Sequence, residues 1–435
     1  MARKVKESGI DWIKTIPAEW EVNRLKNIFS FGKGLPITKE NLTETGIDVI
    51  SYGQIHSKNN NGLKINNVLI RFVSESYLES NRGSLVTRED FIFADTSEDL
   101  QGCGNCVYVD TDRQLFAGYH TIILRSNSGC NNKYFAYLFK SDIWRSQIRS
   151  RVSGIKLFSI TQRILRETTV IIPPIEEQKR IVNFLDERIG EIDTIILKTK
   201  ASIEEYKKYR KAIVIKAVTK GLHPNVTMKK TDSDWIGEIP AHWDYVRIQR
   251  LFETVDERNE DENALLLSLY TALGVKPRNE LEEKGNKAST VINYKKVQKN
   301  DVVVNKLLAW MGAIGYSDYE GVTSPDYDVY RARKGANVVR NYYNEYFRNT
   351  CFNGDCYKYG HGIMLMRWRT YPEEFLRIRV PNPPLAEQQE IADYLAEKCG
   401  EIDALIAKKE AFVEEMEAYK KSLIYEYVTG KKEVL

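Results

Sequence analysis

Two stretches of the chain place apolar residues about every 3.5 positions. The first runs through Leu185, Ile192, Ile196, Ile203, Tyr206 and Ile213, the second through Leu395, Ile402, Ile406, Val413, Met416 and Leu423. That period predicts long helices packed along a seam rather than isolated surface helices. Pro173-Pro174 and Pro383-Pro384 mark the starts, and glutamates follow within three residues, where a helix N-terminus favours negative charge. Forty-odd residues at 1.5 Å each give rods of about 65 Å. Between the helices the pattern shortens. Runs such as Asp90-Phe91-Ile92-Phe93, Thr121-Ile122-Ile123-Leu124, Asp301-Val302-Val303-Val304 and Tyr327-Asp328-Val329-Tyr330 read as strands, and an aromatic helical stretch follows each set.

The same pattern occurs twice. Asp11-Trp12-Ile13 through Ile16-Pro17-Ala18-Glu19-Trp20 returns as Asp234-Trp235-Ile236 through Ile239-Pro240-Ala241-His242-Trp243, at an offset of 223. Pro174-Ile175-Glu176-Glu177-Gln178 returns as Pro384-Leu385-Ala386-Glu387-Gln388 at an offset of 210, and that match continues without a gap to Val428-Thr429. The difference, 223 − 210 = 13, measures how much shorter the second variable block is. The order is short motif, variable block, long motif, then the same again. This divides the chain into an N-terminal arm (1–29), a first variable block (30–172), a central helix (173–222) and a linker with the repeated Trp-Ile element (223–252). A second block (253–382) and a C-terminal helix (383–435) complete it. The fold class expected is mixed α/β (α+β): two globular domains joined by two long antiparallel coiled-coil helices, with an internal pseudo-two-fold repeat. Packing of each helix on its own block is the alternative. The short element has no copy after the C-terminal helix, so the N-terminal arm is expected to pack beside that helix and close the repeat.

Charge changes this picture locally, not globally. The 435 residues carry 64 Lys+Arg against 60 Asp+Glu, and a net charge of +4 does not by itself mark a nucleic-acid binder. Residues 133–166 hold eight basic residues against Asp142 (+7), and residues 331–369 hold eight against Glu345 and Asp355 (+6), at equivalent places in the repeat. Aromatics are interleaved: Tyr134, Phe135, Trp144 and Phe158 in one cluster, Tyr343, Tyr357, Tyr359 and Trp368 in the other. Such patches neutralise phosphates, and arginine forks read guanine edges. A solvated helix face over core aromatics is the competing reading. The first long helix, 175–220, has a balance of +3 and the second, 385–430, of −6, which suggests that they pair.

Catalytic signals are absent or incomplete. Cys103-Gly-Asn-Cys106 has CxxC spacing but no second ligand pair, and six cysteines in this length do not suggest a disulfide framework. Asn382-Pro383-Pro384-Leu385 resembles an amino-methyltransferase motif but lacks its aromatic, and no GxxxxGK[ST] loop is present. No apolar run reaches the ~18 residues of a membrane span, and the N-terminus has no signal-peptide core, so a cytoplasmic location without membrane association is expected.

These residues resemble the specificity subunits of type I restriction-modification systems. The resemblance rests on the duplicated Trp-Ile-x-x-Ile-Pro-x-x-Trp element, the duplicated Pro-Pro-x-x-Glu-Gln-x-x-Ile helix start and the Lys220-Gly221-Leu222-His223-Pro224 stretch. Asn305-Lys306 and Gly321-Val322-Thr323-Ser324-Pro325 add to it. It implies a non-catalytic DNA-specificity subunit in which each variable block is a target-recognition domain reading half of a bipartite, asymmetric double-stranded DNA site. The helices would set the spacer and dock two DNA adenine methyltransferase subunits. S-adenosylmethionine, ATP and Mg would be bound by the methyltransferase and the restriction/translocase subunits, and no cofactor by this chain. A DNA methyltransferase with a degenerate motif, or a protein scaffold that does not recognise DNA, are the alternatives. Candidate DNA-binding residues are Tyr52, Gln54 and Lys58 in a polar loop, Lys133, Arg149, Arg151 and Lys156 in the first cluster, Tyr270 and Thr271 near the matching place of that loop in block two, and Arg331, Lys358, Arg367 and Arg369 in the second cluster.

Overall fold

The computed structural model describes residues 3–127, 129–280, 290–363 and 368–434. The chain folds as two units, one of residues 1–199 and 412–435, the other of residues 200–411. Both long helices are therefore shared: the central helix Ile175–Lys220 and the C-terminal helix Leu385–Val428 each contribute one half to each unit.

In unit 1 the arm forms an antiparallel hairpin, Val5–Ile10 with Ile13–Pro17. The next strand, Glu21–Arg24, pairs with Thr169–Ile172 at the far end of the variable block, so the block leaves where it enters. Inside lies an antiparallel sheet in the order Cys106–Tyr108, Phe91–Ala94, Thr121–Ser126, Phe29–Lys33. Phe91–Ala94 is buried at every position because the sheet continues on both sides and helix Asn132–Lys140 covers a face. Phe139 from that helix sits 5.1 Å from Phe91, 5.4 Å from Phe93 and 4.4 Å from Trp144, ring centre to ring centre. A second sheet, Arg71–Val73, Ile47–Ile50, Leu115–Ala117, Leu85–Val86, contains one parallel pair.

Unit 2 repeats the plan with fewer parts. Met228–Lys230 pairs with Glu238–Pro240, and Asp244–Arg247 with Arg379–Asn382. Its sheet runs Phe252–Val255, Tyr327–Ala332, Val302–Asn305, Ile314–Tyr316. The smaller partners are the two-stranded pairs Leu267–Tyr270/Gly274–Pro277 and Lys295–Val297/Gly321–Thr323.

Within each unit the long helices pair antiparallel. In unit 1, Phe184 stacks on Tyr427 with ring centres 4.5 Å apart, and Asp193 pairs with Lys420. In unit 2, Arg210 pairs with Asp403 at 2.9 Å and Lys207 with Glu410 at 3.5 Å. The offset of 210 carries Asp193 to Asp403 and Arg210 to Lys420, so the Asp193–Lys420 and Asp403–Arg210 pairs are two copies of one contact. Opposite charge is thus used locally, and in unit 1 its direction is the reverse of the net charges.

The duplicated motifs are stitched to each other. The Trp20 indole donates to Glu177 Oε2 (2.9 Å) and the Trp243 indole to Glu387 Oε2 (2.8 Å). One residue on, the Gln178 amide donates to Pro173 O and accepts from Asn131 N, both 2.8 Å. Gln388 does the same with Pro383 O and Val339 N, again at 2.8 Å. Each Ile-Pro-x-x-Trp element also packs on the end of a long helix. Gly221, at φ +75°, lies against Pro240 and Trp243, and Gly430, at φ +68°, against Pro17 and Trp20. Side chains are rare in that backbone region, and a Cβ at Gly430 would also approach Pro17 within 2.6 Å. Lys431 Nζ donates to Thr15 O at 3.1 Å. The arm therefore sits at the end of the C-terminal helix, as the sequence predicts.

Candidate nucleic-acid interface

Unit 1 presents the polar loop as a single-turn helix, Tyr52–Ile55, started by a Ser51 capping box in which Ser51 N donates to Gln54 Oε1 (3.1 Å). Gln54 is thereby oriented by the Ser51 backbone. Tyr52 is half-buried, held edge-on by His120, Tyr119 and His56 at 5.5, 5.7 and 6.3 Å between ring centres. Lys58 is exposed at the end of the loop. Tyr52, Gly53 and His56 form one wall of a hollow of about 560 Å³, faced by Ser97, Asp99, Gln101 and Asn105. His56 is fixed on both ring nitrogens, Nε2 at 2.8 Å from Thr96 O and Nδ1 at 3.2 Å from the Asn105 amide nitrogen. The hollow offers amide and hydroxyl groups able to donate and accept, the equipment for base edges, beside the acceptor-only carboxylates of Glu98 and Asp99.

The first basic cluster divides. Lys133 Nζ donates to Asp186 of the central helix at 2.6 Å, beside the Tyr137 hydroxyl on the same carboxylate. Arg149 donates to Asp142 (2.9 Å) and to Gln101 O (3.1 Å). Arg151 and Lys156 are exposed on the loop around Gly154, and between them Ile155 is 98% exposed. The second cluster divides likewise. Arg331 forks onto the buried Asp301 at 2.8 and 2.9 Å and reaches Glu257 at 3.2 Å, which raises its pKa. Arg125 with Asp90, at 3.3 Å, is the unit 1 counterpart. Lys358 pairs with Asp234 at 3.0 Å. Arg369 is half-buried and its backbone bridges to His361. Arg367 lies outside the described residues. Tyr270 is half-buried at the end of its strand, and Thr271 is exposed with its carbonyl accepting from Arg348 at 3.1 Å.

Two expectations change here. Lys133, Arg331 and Lys358 are engaged by carboxylates of their own chain, so charge at these positions fastens elements before it faces solvent. Half of the interleaved aromatics are core: Tyr134, Phe135, Trp144 and Tyr343 are buried, whereas Phe158, Tyr359 and Trp368 are half-buried and Tyr357 is exposed. Tyr134 donates to the last carbonyl of the C-terminal helix, Val428 O, and Tyr342 to Val218 O, each at 3.0 Å.

The remaining chemical candidates have structural roles. Cys103 and Cys106 are buried free thiols, and burial pushes Cys106 up to about 12. Among the described residues no group of three metal-ligating side chains gathers. Asn382 is buried, its Oδ1 accepting from the Tyr343 hydroxyl (2.9 Å) and the Gln388 amide (3.0 Å). No helix of the described residues is long and apolar enough to cross a membrane.

Comparison with known proteins agrees with this architecture. A family model described as the type I restriction modification DNA specificity domain matches residues 17–205. A putative type I restriction enzyme MjaX specificity subunit of Methanocaldococcus jannaschii is 23% identical, across 96% of this chain and 95% of its own. The EcoBI specificity subunit of Escherichia coli is 25% identical over 49% of this chain and 46% of its own. Among solved structures, a chain from work on complex assembly and conformational transition of the type I R-M system has a TM-score of 0.70 at 16% identity, covering 96% of this chain and 99% of its own. The HsdS subunit from Thermoanaerobacter tengcongensis has a TM-score of 0.54 at 16% identity, covering 98% of this chain and all of its own (100%). At these identities the structural likeness is one of fold.

Proposed function

The chain belongs to the family of type I restriction-modification specificity subunits, and on that premise we propose that its two blocks read the two halves of a bipartite, asymmetric site in double-stranded DNA. The observation that carries this reading is the repeat itself. Two units share their fastenings residue for residue, yet differ in the loops at equivalent places, Tyr52–Lys58 in one and Tyr270–Thr271 in the other. A shared frame with divergent loops is what two different half-sites on one duplex require. Half-sites about one helical turn apart, ~10 bp, let both blocks address the same face of the duplex.

In this reading Tyr52, Gln54, Thr271 and Arg369 address base edges, and Lys58, Arg151, Lys156 and Arg367 address phosphates. Lys133, Arg149, Tyr270, Arg331 and Lys358 position these groups. Phosphate contacts set register and base contacts set sequence. The paired helices fix the spacer and dock two adenine methyltransferase subunits, which supply S-adenosylmethionine; restriction subunits supply ATP and Mg chemistry. This chain contributes recognition and no catalysis, a reading supported by Asn382, whose amide oxygen is already engaged in the core. The site of action is the cytoplasm, where the DNA is. Replacing residues 30–172 by the corresponding block of another family member, then mapping methylated adenines, tests the division of labour. One half-site should change; a change in both halves refutes it.

A further inference from the structure

Where the variable block of unit 1 meets the C-terminal helix lies a cavity of about 670 Å³ that the reading above does not use. Its walls are cationic. Lys140, Arg145 and Arg149 come from two consecutive helices of the block, and Lys420 and Lys421 from the C-terminal helix. Against these five stand Asp142 and Glu417 in the walls and Asp193 on Lys420, leaving 5 − 3 = +2.

Internal contacts discharge these walls only in part: Arg149 pairs with Asp142 and Lys420 with Asp193. Arg145 donates to neutral acceptors, Phe139 O (2.7 Å) and Asn105 Oδ1 (2.6 Å). Lys140 donates to Asn61 O at 2.7 Å, again a neutral partner. Arg149 spends its terminal nitrogen on Asp142 and Gln101, while its Nε is buried with no partner among the described residues. Lys420 is held by Asp193, and Lys421 is exposed at the mouth. Cations gathered away from water without matching anions are costly, and an oxyanion that fills the space removes that cost. Burial, with Lys420 and Arg145 nearby, pushes the Lys140 ammonium down to about 8, against the opposing pull of Asp193 and Glu417.

Position and repeat both bear on what fills it. Ile55 and Ser57 of the reading loop line this cavity, and Gln101 and Asn105 wall both it and the hollow beneath Tyr52. The offset of 210 maps Lys420-Lys421 onto Arg210-Lys211, which line a cavity of about 380 Å³ in unit 2 together with Arg348. There three cations face Glu345 and Asp403, leaving 3 − 2 = +1. Both copies keep the plan, and unit 1 keeps more of the charge.

We propose that the cavity bounded by Lys140, Arg145, Arg149 and Lys421 is a phosphate-binding site, filled by a phosphodiester of the duplex beside the reading loop. The phosphate chemistry stands by itself; the duplex as its source rests on the DNA-reading assignment. A free nucleotide offers the same chemistry, so the test has two arms.

In the first arm the full chain is titrated calorimetrically with pyrophosphate at pH 8, in two buffers of different ionisation enthalpy. The expected result is binding with proton uptake, because an anion beside Lys140 raises its pKa through the working pH. Lys421→Glu should weaken binding at least tenfold, and Lys211→Glu less than twofold. Lys421 is exposed, so its replacement leaves the fold intact; Lys140→Met should abolish the proton uptake. In the second arm, duplex binding is followed against salt concentration. Lys421→Gln should lower the slope of log K against log salt by about 1 if a duplex phosphate occupies the site. Pyrophosphate binding with an unchanged slope assigns the site to a free nucleotide. Absence of both pyrophosphate binding and a change in slope overturns the proposal, as does equal competition by an acidic peptide. Pyrophosphate binding by a chain that binds no duplex at all, even with methyltransferase subunits present, leaves the phosphate site standing and sinks the DNA reading.

Discussion

Asp355 and Trp243 show single polar groups setting the stability of unit 2 in opposite directions. Asp355 is buried, accepts from the Ser233 hydroxyl at 2.7 Å, and is raised to about 6 by burial, with Asp232 and Asp234 adding to the rise. A carboxyl whose folded pKa lies above its unfolded value binds protons more tightly when folded. Its contribution to stability therefore falls as pH rises from about 4 through 6, and stays lost above. Asp355→Asn should remove that slope and leave the protein about 2 kcal/mol more stable at pH 7 relative to the parent, read from denaturant unfolding at about pH 4 and about pH 7. Stability that rises equally with pH in both proteins would contradict it. Trp243→Phe keeps the ring but removes the donor to Glu387, whose remaining partner is His242 at 2.7 Å. The expected cost is about 1–3 kcal/mol, the penalty for a part-buried carboxylate losing a hydrogen bond. Little of this is legible in sequence. The Trp and the Glu are visible as repeated letters, but only the fold places them together across 144 positions. The same holds for Lys133, Arg331 and Lys358. A run of basic residues looks like one patch, whereas their carboxylates come from distant segments that no local pattern marks.

At the scale of elements the sequence speaks more clearly, since periodicity is local and the structure keeps it. The seam residues Leu185, Ile192, Ile196, Ile203, Leu395, Ile402, Ile406, Val413 and Leu423 are all buried. The strands expected near Phe91, Thr121, Val302 and Tyr327 form, and become the inner strands of the two main sheets. What periodicity does not reveal is that each helix is divided between two units, because that depends on what packs against each half. The two copies of the Asp–Lys/Arg contact measure the pairing. Arg210→Asp should destabilise unit 2, and Arg210→Asp with Asp403→Arg should recover most of the loss. The coupling energy expected for a half-exposed pair is about 0.5–1 kcal/mol, obtained from a double-mutant cycle. Ile402→Ala, which empties a seam position, should cost more, about 2–4 kcal/mol. An ion-pair effect exceeding the seam effect would mean that charge, not apolar packing, holds the helices together.

Over the whole molecule, the repeat has no privileged beginning. The central helix ends on an Ile-Pro-x-x-Trp element that follows it in the chain, and the C-terminal helix ends on the same element supplied by the N-terminal arm. Between Val218 and Ile236 lie 17 residues, 219–235; between Val428 and Ile13, counted through the termini, lie 7 + 12 = 19. Joining residue 435 to residue 1 would thus give a connection of 19 residues, against 17 in its counterpart. A permutant with Leu435 joined directly to Met1 and new ends opened at the Pro224–Asn225 bond should fold. Its new ends fall in the matching connection, and each sheet, seam and Trp–Glu contact is retained. Stability within about 1 kcal/mol of the parent is expected, together with methylation of the same DNA site when partner subunits are supplied. Removing residues 1–24 should do the opposite. It strips Glu177 of the Trp20 and Arg3 donors and uncovers Gly430 and Val428, so unit 1 should lose cooperative unfolding. If the truncated chain unfolded as the parent does, the arm would be an ornament on the C-terminal helix. The contacts of Trp20 and Lys431 make it instead the piece that completes unit 1.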